Sequence, residues 1–508
     1  MFYPTYHNIK RFFLFFSSIV ILPIFLFLYH DSVSLATWDG VLIENAIVQN
    51  NLDLLKNFLF DSGWFLQYYF IVSLSFLSDI FDLNFRTLNF YFLLFIYGLF
   101  VFEISHLLLN KLKVDFSLFL SFLLLITLSP IFTALTSEIL TFHFLMYVIG
   151  LMSVRLYNSS HFLSKLIGIL FIFLSFNLLS NLVLVPIYSF FYSYFFSKRF
   201  SAISLMTPLL FAIIFYTFYT ILFVPSGAFV GYHKFIIFSP SGILPFLLGA
   251  SKFLSFFIPL SFLILFILSF VNSKNTFSDA PDIVSFPNGF IFGLFALSFA
   301  SIFPYMATAS TSLIWDFDSW TYRQALLLTL PLSLISFFLL IKLTDLFTLG
   351  RKFLFFFLFC LISFNAVLSA ISLVTKYNRY HYANHLVSAI ADSSSSIRPG
   401  VILLRTNDPV FSNFEQYELN YYLDRILNNP SWWVVSSSTS DITFSLPKYM
   451  NDPRYQKLFS FVPTSKIESL PVTTVTYSHS GFSGLTSAIK NFIGIGHSSI
   501  RITSIVEH

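Results

Sequence analysis

Charge is scarce in this chain, cysteine is almost absent, and nucleotide- and metal-binding motifs are missing. Charged residues make up 10% of the 508 residues, against about 25% in a soluble globular domain. Hydrophobic residues reach 56% and the mean hydropathy is +0.79. A soluble enzyme is thereby excluded and a polytopic membrane protein implied. The one cysteine, Cys360, lies inside an apolar run, which rules out a disulfide framework and a cysteine-based metal site. There is no HExxH, no Cys/His cluster and no dense acidic motif with ligand spacing, so metal catalysis gets little support. Walker A and GxGxxG sequences are missing too, which argues against a cytoplasmic nucleotide as energy source or donor. The net charge of +4 does not point to nucleic acid, because the positives sit mostly at the edges of apolar runs, where they set topology. No internal repeat is visible.

What the chain does have is apolar runs of spanning length. Candidates cover 12–30, 66–81, 88–109, 116–135, 138–154, 162–178, 180–196, 202–223, 244–270, 289–308, 324–345 and 351–373. The first follows Lys10 and Arg11 and is long enough to span, so it reads as a membrane helix rather than a cleaved leader. Asn177 and Asn181 mark the tight turn of the pair at 162–196. The basic segments with Lys111/Lys113, Arg155/Lys165, Lys198/Arg199, Lys274 and Arg351/Lys352 alternate with basic-poor ones. The positive-inside rule puts them, and the N-terminus, in the cytoplasm. The loop 31–65 and the segments 129–137, 177–183, 225–243 and 309–323 then face outward, as does the chain beyond about residue 374. Two apolar stretches, 66–81 and 88–109, lie where topology asks for an odd number of crossings. The first, interrupted by Gln67, Ser73, Ser75 and Ser78, is expected to dip in or lie along the bilayer, unless Lys111 and Lys113 break the rule. That leaves about eleven spans.

From Lys376 the composition turns polar and no run reaches spanning length. The remaining 376–508 suffice for one small domain. "GVILLRTNDP" and "WWVVSSS" read as buried strands, and "NFEQYELNYYLDRILNN" as an amphipathic helix. The expected fold is an all-α polytopic membrane domain, 1–375, followed by a small C-terminal α/β extracytoplasmic domain, 376–508. "KYNRYHYANHLV" joins the two, with Lys376, Arg379, His381 and His385 close to the membrane surface. It is either an interfacial linker whose long side chains snorkel, or a phosphate-binding edge.

Candidate chemistry gathers in the outward segments. The first loop turns at "TWDG", with Trp38 at the interface and Asp39 beside it. The apolar spacing of Val41, Leu42, Ala46, Ile47, Leu52, Leu55, Phe58 and Leu59 suits one or two short helices lying on the bilayer, apolar face down. Asp39 and Glu44 would then sit near the headgroup plane, where a carboxylate can accept a proton from an attacking hydroxyl. A second acidic turn, "STSLIWDFDSWTYRQ", carries Asp316, Asp318, Trp320 and Arg323. It is either a substrate-binding rim or a well-anchored loop whose Arg323 pairs with Asp316 or Asp318, since aromatics beside carboxylates serve sugars and membrane belts alike. Glu138 sits at the outer turn "LSPIFTALTSEIL", as a helix N-terminal charge or a member of a site. His143, further into the same span, reads as a satisfied buried histidine before a ligand. His233 and Lys234, in the glycine-containing loop 224–242, form a cation pair fit for a phosphate or a headgroup.

Asp39, the run from Phe65 to Ser105, the Ser129-Pro130 turn and Glu138 together resemble the GT-C superfamily of polytopic glycosyltransferases. That family shares a first outward loop with a membrane-parallel helix and an essential acid. A His- or Lys-Pro-Pro found in its protein-mannosyltransferase and aminoarabinose-transferase branches is replaced here by "DSGWFLQYY". Size, topology and an outward C-terminal domain look more like the serotype-converting O-antigen glucosyltransferases of bacteria and their phages. The resemblance covers residues 10–375. It implies a sugar donor on polyprenyl phosphate and a glycan or glycolipid acceptor at the outer leaflet of a bacterial cytoplasmic membrane, with the C-terminal domain in the periplasm. Asp39 would be the general base, with Glu44 and Glu138 as further catalytic candidates. His233, Lys234, Arg323, Lys376 and Arg379 would be the candidates for the donor phosphate, and Trp38, Asp316, Asp318 and Trp320 for the sugar or acceptor. No cofactor is expected, with Mg or Mn as the alternative. The rival readings are a flippase or transporter of lipid-linked sugars, which needs ionisable groups facing a central cavity, an O-antigen polymerase or ligase, and a membrane scaffold whose outer domain binds partners.

Overall fold

The computed structural model describes residues 39–48, 50–137, 139–196, 203–223, 243–272, 289–307, 325–347, 350–397, 400–405, 419–423, 432–436 and 471–507. The apolar run at 12–30 lies outside them. Helices α1 (Asp39–Val48), α2 (Leu52–Asp61), α3 (Phe65–Phe81) and α4 (Phe85–Ser105) follow one another closely, and α4 ends in a π turn, His106–Lys111. Then come α5 (Phe116–Thr127), a 3-10 turn at Pro130–Thr136, α6 (Leu140–Tyr157), α7 (Phe162–Ser175), α8 (Asn181–Phe196), α9 (Ile203–Leu222), α10 (Ile243–Ser255), α11 (Ile258–Asn272), α12 (Phe290–Ala307), α13 (Thr329–Leu346) and the long α14 (Arg351–Asp392). Among the described residues, four helices are long and apolar enough to cross a membrane: Phe85–Lys111, Leu140–Tyr157, Ala325–Leu346 and Arg351–Asp392. The pair α10 and α11, bent by 48° at the break, makes a fifth if it is one span. Six shorter apolar helices accompany them, of 10–17 residues. At 1.5 Å per residue these rise at most about 25 Å, less than the hydrocarbon core. The chain is a helical, polytopic membrane protein.

Two helices depart from the expected runs, each for a local reason. The run 116–135 is not one helix. Pro130 forces the residue before it out of the α region, and Ser129 is extended at φ −64°, ψ 131°. The helix therefore stops at Thr127 and a 3-10 turn follows. The segment expected as a linker after 373 is helix throughout, because α14 carries on without a break to Asp392. Its forty-two residues span about 63 Å, so the membrane part and the polar domain share one rod. The stretch 66–81 lies within a single regular helix, α3.

Packing is dense where helices meet backbone to backbone. A Cβ at Gly168 of α7 would lie 2.5 Å from the backbone nitrogen of Tyr157 at the end of α6, so glycine is required for this approach. Asn181 closes the α7–α8 turn by donating to the Ser175 and Met146 carbonyls, at 2.9 and 3.0 Å. At the end of the bundle that carries the basic segments, the Arg155 guanidinium grips the Glu103 carboxylate: Nε lies 2.9 Å from each oxygen and Nη2 lies 2.7 Å from Oε1.

The polar domain holds a four-stranded mixed sheet in the order β2-β1-β3-β4: β1 (Gly400–Arg405), β2 (Trp432–Ser436), β3 (Val472–Ser480) and β4 (Ser499–Glu507). β1 pairs in parallel with β2 and β3, and β4 closes antiparallel on β3. Val401, Ile402, Leu403 and Leu404 are all buried, as a central parallel strand covered on both faces requires. Both expected strands are present, and 419–423 within the expected amphipathic helix are helical. The helix α15 (Gly484–Phe492) joins β3 to β4. Asn491 of α15 donates to Asn378 Oδ1 at 2.8 Å and to the Gly481 carbonyl at 2.9 Å, and Asn378 donates to the Phe482 carbonyl at 2.8 Å. Polar bonds thus lock the domain to the polar half of α14.

Candidate functional site

Asp39 opens α1 as its first helical residue. The helix buries Leu42, Ile43 and Ala46, at 0%, 1% and 1% exposure, and α2 buries Leu54, Leu55, Phe58 and Leu59. The expected bilayer-facing stripe is therefore turned into the protein. It meets the core that α3 and α4 present, a better partner for a helix too short to reach far into lipid. Helix register puts position 39 on the same side as 42, 43 and 46, whereas Glu44 stands off that face and is half-buried.

The turn between α5 and α6 ties this region to α14. Phe132 of the 3-10 turn is enclosed by Tyr97, Phe100 and Phe144, at ring distances of 5.7–6.4 Å. Thr133 bonds Ser372 of α14, oxygen to oxygen at 2.6 Å. Lys376, 2% exposed, reaches one turn further and donates to the Thr133 carbonyl at 2.7 Å and to its hydroxyl at 3.2 Å. The 3-10 turn leaves carbonyls unused, and the ammonium satisfies one of them. Arg379, 6% exposed, follows three residues later on α14. Neither cation snorkels to the surface: Lys376, Asn378, Arg379, Tyr380 and Tyr382 are all buried, on a continuous helix. His381 and His385 lie between α14 and the polar domain, their rings 4.5 Å apart, with His381 Nε2 2.9 Å from the Ser498 hydroxyl.

On the other side, the same turn meets α3 and α4. Gln67 of α3, 1% exposed, donates to the Ile139 carbonyl at 3.0 Å. His143 Nδ1 lies 3.1 Å from that same oxygen and its ring packs edge-on to Trp64 at 4.8 Å, the satisfied histidine that was expected. Asn89 donates to the Thr141 hydroxyl at 3.0 Å. One turn before it, at the start of α4, stands Arg86, 8% exposed. Residues 129–137 are thus held by α14, and residues 139–141 by α3 and α4, with α1 packed on α4.

Gln67, which the sequence shows only as an interruption of the run 66–81, and Arg86 and Asn89 are not among the expected site residues. Their only sequence signal was polarity inside or at the rim of apolar runs. Of the expected site residues, the structure places the Asp39 backbone, Glu44, Lys376 and Arg379. Trp38, Glu138, His233, Lys234, Asp316, Asp318, Trp320 and Arg323 lie outside the described residues.

No protein-family model, curated protein or solved structure matches the chain. The functional reading therefore rests on the sequence resemblance and on the site. Chemically, the described residues offer a carboxylate position at the head of α1, two buried cations on α14, and a buried turn that Lys376 of α14 bonds directly.

Proposed function

We propose that this chain is a membrane glycosyltransferase of the GT-C kind, moving a hexose such as glucose from a polyprenyl-phosphate donor to a lipid-linked glycan acceptor. In this reading the acceptor hydroxyl oxygen attacks the anomeric carbon and a new C–O bond forms with inversion. The bond from that carbon to the phosphate oxygen breaks, and polyprenyl phosphate leaves with the electron pair. Asp39 takes the hydroxyl proton, a role for which a carboxylate in reach of the attacking oxygen suffices. Lys376 and Arg379 are the described cations suited to the charge that develops on the departing phosphate, and Arg86 joins them from the α4 side. His233, Lys234 and Arg323 remain candidates from the outward loops. The orientation follows from the basic segments: N-terminus inside, with α1, the turn at Pro130–Thr136 and the polar domain on the periplasmic face of a bacterial cytoplasmic membrane.

The observation that supports this reading most is convergence. Lys376 of α14 bonds the turn between α5 and α6 from one side, Gln67 of α3 and Asn89 of α4 bond the residues just after it from the other, and the helix headed by Asp39 packs on α4. The buried pair between spans, Glu103 with Arg155, lies at the end of the bundle that carries the basic segments and is internally satisfied, which fits a structural clamp better than a transport pathway.

Mass spectrometry of the cell's surface glycan, with the gene present, deleted, or replaced by an Asp39→Asn allele at matched expression, tests the proposal. Loss of one hexose per repeat in both the deletion and the Asp39→Asn strain is expected. An unchanged glycan in the deletion, or a full hexose complement with Asp39→Asn, would sink it.

A further inference from the structure

Helix α15 has two faces of different fate. Ala488 and Asn491 are buried against α14, and Tyr377 meets Phe492 edge-on at 5.3 Å. The other apolar side chains have no such cover: Leu485 and Ile489 are each 44% exposed, and Ile493 and Ile495, just beyond the helix, are 57% and 63% exposed. Positions 485, 489 and 493 fall along one side of the helix. Lys490 flanks them, and Ser487 lies on the opposite side. An apolar stripe edged by a cation, on a short amphipathic helix, is the pattern of a helix that lies in a membrane interface.

Its place on α14 points to the same occupant. Asn378, which holds α15, comes eleven residues after Val367, three turns along the helix and on the same face. Val367 is 57% exposed, and Phe356 and Phe364 on that side are 49% and 40% exposed. In a membrane protein such side chains are lipid-facing. The hydrocarbon core, about 30 Å thick, takes up about 20 residues of helix. Counted from Lys352, it ends near residue 372. Asn378 then stands about 9 Å beyond, at headgroup level. The exposed stripe of α15 therefore continues the lipid-facing surface of α14 upward.

We propose that α15 and the Ile493–Ile495 turn form a membrane-contact surface, with Leu485, Ile489, Ile493 and Ile495 inserted among lipids, seating the polar domain on the bilayer. The partner is the lipid interface itself. The proposal needs no assumption about catalysis and stands or falls apart from it.

The test uses the full-length protein in lipid nanodiscs, in a Cys360→Ser background, with single cysteines introduced as Leu485→Cys, Ile489→Cys, Ile493→Cys and Ser487→Cys and labelled with NBD. Val367→Cys serves as the lipid-facing reference. Lipids carrying a nitroxide near the headgroup are expected to quench the label at 485, 489 and 493 at least threefold more than at 487, with blue-shifted emission. All the positions chosen on the stripe are exposed, so loss of the fold at one leaves the others to report. Quenching at 489 and 493 no stronger than at 487 overturns the proposal. So does a blue-shifted emission that nitroxide lipids leave untouched, which is the signature of a protein partner or a second copy on this face.

Discussion

Replacing Glu103 by Gln removes the negative partner of Arg155 while keeping the side-chain shape. Glu103 is 8% exposed and Arg155 24%, and the guanidinium makes three contacts of 2.7–2.9 Å with the carboxylate. Breaking a buried pair by removing one partner costs about 3–5 kcal/mol, because the remaining charge is stranded. The partial exposure of Arg155 lets water or headgroups recover some of that, which brings the expected loss to about 2–3 kcal/mol, roughly 30- to 150-fold in the folding equilibrium. The ring of Phe102, 5.6 Å from the guanidinium carbon, offers little compensation. Unfolding by SDS titration in mixed micelles, followed by tryptophan fluorescence, measures it. The double variant Glu103→Met with Arg155→Met strands no charge and should recover to within about 1 kcal/mol of the parent. A Glu103→Gln protein as stable as the parent, or a double variant no better than the single, would refute the reasoning.

Other consequences follow from particular contacts. Asn491→Ala removes the bonds to Asn378 and Gly481; it should loosen the polar domain by about 1–3 kcal/mol and speed proteolytic release of the segment after β3, read by timed trypsin digestion. Gly168→Ala pushes a methyl onto the Tyr157 backbone, and a loss of about 1–3 kcal/mol is expected in the same SDS titration. Asp115 caps α5 and pairs with Arg351. Burial pushes its carboxyl up, but the Ser117 N–H and the Arg351 guanidinium outweigh this and hold it below its ordinary value. Because the folded group is the stronger acid, its contribution is present above the ordinary carboxylate range and is lost as pH falls through the lowered value. Both partners are well exposed, so Asp115→Asn should cost only about 0.2–1 kcal/mol near pH 7. That deficit should vanish in acid, as melting curves across pH would show.

Much of the helical order was legible, because apolar runs between polar breaks are the strongest signal a chain can carry. The two buried strands of the polar domain were also readable, since "GVILLR" and "WWVVS" are continuous apolar runs closed by turn residues. The break at Ser129-Pro130 was visible as a turn, yet its depth was not: Thr133 sits buried under Lys376 only because α14, some 240 residues later, runs past it. The orientation of α1 differs from the expected one for a related reason. An apolar stripe on a short helix faces lipid or protein equally well, and α3 and α4 decided it. Gln67 is visible in the sequence only as a polar interruption, and Arg86 and Asn89 not at all as site residues, because their partners or neighbours lie on other helices and local sequence does not encode such distant pairings. Lys376 and Arg379 stand out in the sequence as cations on the outward side, but their burial depends on a helix that continues where composition suggests a linker.

The most direct measurement is transfer by the purified protein in liposomes, supplied with polyprenyl-phosphate hexoses and a lipid-linked glycan acceptor, with release of polyprenyl phosphate followed over time. The account predicts turnover by the parent with one such donor and a loss of at least about a hundredfold in Asp39→Asn, the least expected when a general base is removed. No transfer by the parent from any polyprenyl-phosphate hexose, or full turnover by a folded Asp39→Asn protein, would contradict it.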